Sequence, residues 1–451
     1  MLLKFRDFAR CFVGSERAPA SAARVSAAPS SAVVAAVPVH LPDNDDLLLE
    51  ILLRLPPLPS SLPRASLVCR RWRRVVADPD FLRRFRRRHA RAAPPLLGYF
   101  SSGPHGPVFA PTLAPPDRVP PERFSFSPPR PRPPAGERLF LLGCRHGLAL
   151  LIDRRRLEAV VWNPVSGRRA AVAYPPELTT DNGAHCCRGT VLSASASAAV
   201  DDEGDGGHYL RPFKVVLVRT DVGDGGRIRV LVCVYASETA RWGHAVSTVV
   251  PSSSVSNLPS VLVRDALCGF LLWPNGILEY DLERHSLGVV RTPKRRHPID
   301  RSFFQVVRAQ DGELGLAILT ELGMEMELWA RRRKASSCAS DGGGDVDGGW
   351  VLEKTIRLDS LLSLPRRSSS TMDDGILLSA RILGFDEDNN VIHVSTCTGA
   401  FAIRLDDSMQ FTELFEVSRI GSYHSCHPYA GFYTGGGVPG LLTNSNYICS
   451  E

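Results

Sequence analysis

From about Arg138 to residue 435 the chain is written in short apolar runs cut by turn residues, and this pattern limits the fold most. LFLLGCRHGLALLI and LEAVVWNPVSG come first, followed by FKVVLVRTD, RIRVLVCVYASETARW and ALCGFLLWPNGILEYDLERHSLGVV. SFFQVVRAQDGELGLAIL, MEMELWARRR, WVLEKTIRL, RILGFDEDNNVIHVSTCTGAFAIRL and FTELFEV follow. The runs favour Val, Ile, Leu and aromatics, and several alternate: Ile392, Val394 and Thr396 fall on one face, His393, Ser395 and Cys397 on the other. Asn163-Pro164-Val165-Ser166-Gly167, Asn275-Gly276, Asp311-Gly312 and Asp388-Asn389-Asn390 supply the turns. Evenly spaced short strands predict an all-β sandwich, barrel or propeller.

Weak self-similarity favours the propeller. Val161-Trp162-Asn163-Pro164, Val234-Tyr235-Ala236-Ser237, Tyr280-Asp281-Leu282-Glu283 and Leu328-Trp329-Ala330 each close an apolar run with an aromatic and then a polar or small residue. Four-stranded blades with loop insertions would space them this way, and the span holds about six blades. A β-sandwich is the alternative. Two polar, Gly-rich insertions, residues 193–207 and 335–349, read as surface loops.

Ahead of this region, Leu41 to His89 reads as three short helices. Asp43 to Asp46 cap the first, Leu47, Leu48, Ile51, Leu52 and Leu55 follow at helical spacing, and Pro56-Pro57 ends it. The second opens at Ser60-Ser61 and carries Ala65, Val68, Cys69, Trp72, Val75 and Val76. Asp78-Pro79 starts the third, with Phe81, Leu82 and Phe85 inward and arginines crowding its end. Three helices this small hide few apolar residues. Either a partner covers one face, or the module packs on the rest of the chain.

The spelling resembles the F-box motif: Leu41-Pro42-Asp43, Leu47 to Leu52, Leu55-Pro56, Ser66-Leu67-Val68-Cys69-Arg70-Arg71-Trp72-Arg73 and Asp78-Pro79-Asp80-Phe81, in order. It is most similar to F-box proteins of plants, especially grasses. WNPVSG, VYASETARW, ILEYDLE, DGELGLAIL and ELW resemble the propeller-like F-box-associated substrate-interaction region of that family. The resemblance implies docking on a Skp-type adaptor and, through it, a cullin–RING ubiquitin ligase. Carried over by motif, the adaptor-facing residues are Leu41, Pro42, Leu47, Ile51, Leu55, Pro56, Val68, Cys69 and Trp72.

The expected organisation is therefore a tail (1–37), an F-box helical module (38–92), a Pro-rich linker (93–137), an all-β substrate-interaction domain (138–435) and a C-terminal tail (436–451). The Pro-rich stretch favours extended chain, and Pro128 to Pro133 would suit a proline-reading domain. The opening residues read as a tail, with an organelle transit peptide as the alternative.

The net charge of +7 is local: eleven arginines against two aspartates lie between residues 64 and 91, and the remainder is near neutral. An acidic protein partner accounts for that patch, with nucleic-acid binding as the rival. Eleven irregularly spaced cysteines suit reduced thiols in the cytosol or nucleus. No apolar run is long enough to span a bilayer as a helix.

No phosphate loop, His-Glu-x-x-His or Gly-x-Ser-x-Gly is present, so neither catalysis nor a cofactor is expected. Asp386 to Asn390 starts like a calcium loop but has Val391 where glycine is needed, so it reads as a hairpin turn. His424, Cys426 and His427 lie too close for a tetrahedral metal site of their own, and His185 with Cys186-Cys187 is a distant second. Residues 293–298 and 331–334 are basic runs that read as solvated loops, or else as import signals. The F-box resemblance thus implies a non-catalytic substrate receptor of an SCF-type ligase, with a β-domain regulator outside any ligase as the alternative.

Overall fold

The apolar runs form six antiparallel sheets arranged as a six-bladed propeller behind a small helical module. The computed structural model describes residues 45–89, 94–103, 106–126, 139–179, 188–193, 210, 212–222, 227–250, 254–255, 259–273, 276–293, 304–320, 325–332, 349–363, 380–396, 398–415 and 426–432. The tail, Leu41 and Pro42, most of both Gly-rich insertions, His185 to Cys187 and His424 lie outside them.

Blade 1 comprises Leu139–Arg145, Leu148–Asp153, Glu158–Trp162 and Arg169–Ala173. Blade 2 runs from Arg188–Ser193 through Phe213–Val222 and Ile228–Ala236, where Arg241–Trp242 and Val246–Val250 both pair. In blade 3, Ser254–Val255 and Val261–Val263 flank Ala266–Trp273, then Gly276–Asp281 and Ser286–Arg291. Blade 4 is Phe304–Arg308, Leu314–Leu319, Glu325–Arg331 and Trp350–Arg357. Arg381–Asp386, Val391–Ser395, Ala400–Arg404 and Phe411–Phe415 make blade 5. Inner strands of blades 1 and 2, 3 and 4, and 4 and 5 touch, and blades 2 and 3 meet through Val246–Val250 and Ser286–Arg291.

Inner strands are buried on both faces, which explains their unbroken apolar spelling: Leu314–Leu319 is buried throughout, whereas the outer Ser286–Arg291 is mostly exposed. The alternation at Ile392 to Ser395 therefore separates two packed faces, and His393 is buried along with Ile392 and Val394. No single core exists. Separate clusters join blades 1 and 2, blades 2 and 3, and blades 3 to 5.

The Pro-rich segment departs from the linker expectation. Leu96–Gly103 and Gly106–Pro111 pair with each other, and Leu96–Gly103 also pairs with Cys426–Ala430 near the other end of the chain. This three-stranded sheet is blade 6, and it closes the ring. Its aromatics outweigh its prolines: Phe100, Phe109, Phe124 and Tyr429 pack together with Trp162 of blade 1. The Thr112 N–H donates to Leu97 O at 3.2 Å. In the observed register this turns the amides of residues 106, 108 and 110 inward and positions 107, 109 and 111 outward. Pro107 and Pro111 thus give up no ladder bond, and they leave the open edge a poor template for another strand.

Blade 6 meets blade 5 through the small cluster of Tyr99, Leu383, Ala400 and Cys426. The His393 ring stands edge-on to Tyr99 at 4.8 Å. Burial lowers the His393 pKa to about 3 and that of His427 to about 4. Both imidazoles are neutral in the fold and titrate near 6.5 once unfolded. Their contribution is complete above pH 6.5 and declines as pH falls toward 4. At pH 5 each should cost about 2 kcal/mol of stability. The Asp386 carboxyl, raised mainly by burial, acts in the opposite sense, from its unfolded value upward. Urea unfolding should therefore weaken steeply from pH 7.5 to 5, and the slope should flatten in His393→Phe.

Among the described residues the helical module holds four helices, not three: α1 (Asp45–Leu52), α2 (Ser61–Ser66), α3 (Arg70–Ala77) and α4 (Pro79–His89). Leu67 and Val68 tighten the end of α2 with bonds to Arg64 O and Ala65 O. Cys69 is then extended (φ −162°, ψ 171°), and its carbonyl starts α3. The core is Leu48, Leu52, Leu53, Leu62, Ala65, Trp72, Val76, Phe81 and Phe85. The Ser60 N–H donates to Asp117 Oδ1 at 2.9 Å, tying the module to the segment after blade 6's edge strand.

Candidate functional site

Two regions carry features that folding alone does not require. The first is the outer side of the helical module. The leucines of α1 are too numerous for one stripe, and the helix divides them. Leu48 and Leu52 enter the core, while Leu47 and Ile51, four residues apart, share another side; Leu55, past the helix end, packs against the core. Leu47 is 43% exposed, Ile51 and Leu55 are partly buried, and Pro56 is exposed. At the α2–α3 break Leu67 is 75% and Val68 46% exposed, and Cys69 is exposed too. Covering one such half-exposed side chain is worth about 1 kcal/mol to a partner.

Trp72 differs from the other motif residues, being only 3% exposed and part of the module's core. Its position two residues into α3, on the side of Val76, sets this direction. Trp72→Ala should therefore act through stability, lowering it by about 3–5 kcal/mol, and the loss should appear in a thermal melt before any partner is added. Exposed arginines flank this region: Arg70, Arg73 and Arg74 on α3, Arg84, Arg87 and Arg88 on α4. Glu50 of α1 pairs with Arg54 at 3.1 Å and Arg84 at 3.7 Å. Leu41 and Pro42 lie outside the described residues.

The second region is one mouth of the ring. Arg145 ends the first strand of blade 1 and is 9% exposed. Its guanidinium forks onto Glu387 of blade 5, with Nε to Oε1 at 2.6 Å and Nη2 to Oε2 at 2.9 Å. It also donates to Thr190 Oγ1 of blade 2 at 3.0 Å and to Ser260 O beside blade 3 at 2.7 Å. Glu387 Oε2 accepts the Leu262 N–H, and Arg308 of blade 4 donates to Glu387 O and Leu262 O. One buried ion pair thus links four blades, and Arg308 adds the fifth through backbone carbonyls.

A cavity of about 50 Å³ lies here, lined among others by Arg145, His146, Ser260, Glu387, Asp388 and His427. Pockets for small metabolites run to roughly 300 Å³ or more, so this one suits a few waters or the tip of one side chain. Among the described residues no group of three His, Cys, Asp or Glu side chains is placed to hold a metal. Asp386 to Asn390 is a hairpin turn: Asp386 Oδ1 accepts the amides of Asp388 and Asn389, and Asn390 takes φ +53°. Asp153 with Leu157 and Asp281 with His285 repeat the device in blades 1 and 3.

Residues 41–84 match the family model of the F-box domain. No curated protein sequence matches the chain. The PQQ-bound aldose sugar dehydrogenase of Streptomyces coelicolor is similar at 14% identity and a TM-score of 0.31, covering 66% of this chain and 89% of that one. Apo AztD of Citrobacter koseri is similar at 13% identity and a TM-score of 0.31, covering 67% and 78%. A streptogramin B lyase gives 12% identity and 0.31, covering 71% and 84%. Likeness at that level carries no functional argument.

Proposed function

We propose that this protein is a non-catalytic substrate-recognition subunit of an SCF-type ubiquitin ligase. The observation that carries the reading is the F-box domain at residues 41–84, whose motif residues Leu47, Val68 and Cys69 stand outside the module's own core. These, with Ile51, Leu55, Pro56 and Leu67, form the proposed contact surface for a Skp-type adaptor. The exposed arginines speed encounter with an acidic partner. The propeller presents loops to a target protein. The mechanism is proximity: the complex raises the effective concentration of target lysines at a charged ubiquitin-conjugating enzyme. Similarity to plant F-box-associated regions supports the assignment of the propeller to target recognition.

Such a complex works in the cytosol or nucleus, in keeping with free cysteines at 69, 144 and 426. No helix among the described residues is long and apolar enough to cross a membrane. The test is reconstitution. The full chain, a purified Skp-type adaptor and a cullin–RING scaffold should co-elute as one complex, with the scaffold retained only when the adaptor is present. A folded chain that elutes apart from the adaptor would leave the regulator reading in its place.

A further inference from the structure

The outer strand of blade 4, Trp350–Arg357, has no strand paired to its far edge among the described residues. Most other blades guard the corresponding edge. In blade 1 the outward carbonyl of Ala173 accepts the Trp242 Nε1–H of blade 2 at 2.9 Å. In blade 3 the outward carbonyl of Arg291 accepts the Trp350 Nε1–H of blade 4 at 2.7 Å. The outer strand of blade 2, Val246–Val250, lies against blade 3, and blade 6 carries Pro107 and Pro111. On the blade 4 edge, Val351 is 46% and Leu352 44% exposed. A long edge strand with exposed apolar side chains is a template for another strand.

The register shows which backbone groups face out. The Arg332 N–H donates to Gly349 O at 2.8 Å, which turns the groups of Trp350 and Leu352 to the outer side. Beyond Leu352 the strand holds one extra residue, since Leu352 and Lys354 oppose the consecutive Trp329 and Leu328. The Thr320 N–H donates to Glu325 O at 2.9 Å, so Glu325 faces away from this strand. Its partner Arg357, and Thr355 two residues earlier, therefore face out as well. Glu353 and Lys354 share one ladder position between these two sets of outward groups. About a two-fold axis through that position the strand is its own complement. Leu352 falls opposite Thr355, Trp350 opposite Arg357, and Glu353 opposite Lys354, so outward groups meet outward groups. Glu353 also holds Arg332 at 3.1 Å, and Lys354 makes no ion pair among the described residues.

We propose that this edge is a homodimer interface, where a second copy of the chain pairs antiparallel through Trp350–Arg357 and the two blade 4 sheets become one. Opposite charges directly across a strand pair attract and like charges repel, and the two-fold axis makes each such contact occur twice. The pairing also covers Val351 and Leu352 on both copies. Phe411–Phe415, the outer strand of blade 5, has Glu413 and no cation, so it cannot match its own charges in this way. One strand edge buries less surface than a standard interface, so the dimer belongs to the micromolar class. The proposal does not depend on the substrate-receptor reading.

Sedimentation equilibrium of the full chain at concentrations up to about 100 μM is the test, and the wild type should be half dimeric near about 10 μM. Lys354→Glu and Glu353→Lys each set like charges face to face twice, so either variant alone should dimerise about tenfold or more weakly. Mixed in equal amounts, the two variants should associate about as well as the wild type, because each strand then offers the charges that the other lacks. Both positions lie on the outer strand away from the buried clusters, so melting temperatures should match the wild type. A wild type that stays monomeric at about 100 μM, single variants that dimerise undiminished, or a mixture that stays monomeric would overturn the proposal.

Discussion

A chain ending at residue 425 should not form the ring, whereas the full chain should. The first lacks Cys426–Ala430, the inner strand of blade 6. Without it Leu96–Gly103 loses its ladder partner, and Tyr429 leaves the aromatic cluster of Phe100, Phe109 and Phe124. The gap would also open the contacts that this strand makes with blades 5 and 1. Tyr429 is 1% exposed, so Tyr429→Ala alone should cost about 3–5 kcal/mol. Losing the whole strand exceeds the 5–15 kcal/mol that holds most domains together. Circular dichroism with urea unfolding is the check: the longer chain should unfold cooperatively, and the shorter should show no such transition.

The second large effect is expected at Arg145. Arg145→Ala should destabilise the propeller by about 3–5 kcal/mol, because Glu387 would be left charged and 11% exposed with no counter-ion. Glu387→Ala should cost about as much, stranding the guanidinium. The double variant Arg145→Met/Glu387→Leu should recover most of the loss, since a well-packed apolar pair often equals a buried ion pair. Chemical denaturation of the wild type, Arg145→Ala, Glu387→Ala and the Arg145→Ala/Glu387→Ala double makes a double-mutant cycle. A coupling near zero would mean that the pair does not hold the blades.

The two ends of the propeller differ in how far the sequence announces them. Blades 1 to 5 were legible because each inner strand is buried on both faces and so must be apolar throughout. Their turns carry Asn, Asp and Gly for local reasons, such as the Asp386 carboxylate gathering the amides of the hairpin. Blade 6 was obscured because its strands come from distant parts of the chain, two of them inside proline-rich sequence. Only the outward amides of positions 107 and 111 show why prolines are tolerated there. The α2–α3 break carries no Gly or Pro, and the apolar spacing runs through it, so periodicity alone merges the two helices. The F-box spelling locates the candidate contact residues but does not say that Trp72 turns inward. The Arg145–Glu387 pair spans 242 positions and leaves no local signature beyond a lone arginine ending an apolar strand.

Adaptor affinity of the full chain, titrated at low and high salt beside Val68→Asp and Arg145→Ala, tests the central claim most directly. Val68 is 46% exposed and outside the module's core, so Val68→Asp should keep its melting temperature. The account predicts tight binding that weakens with salt, a loss of about tenfold or more in Val68→Asp, and no change in Arg145→Ala under conditions where it stays folded. A folded wild-type chain that does not bind the adaptor, or a Val68→Asp chain that binds it equally well, would contradict it.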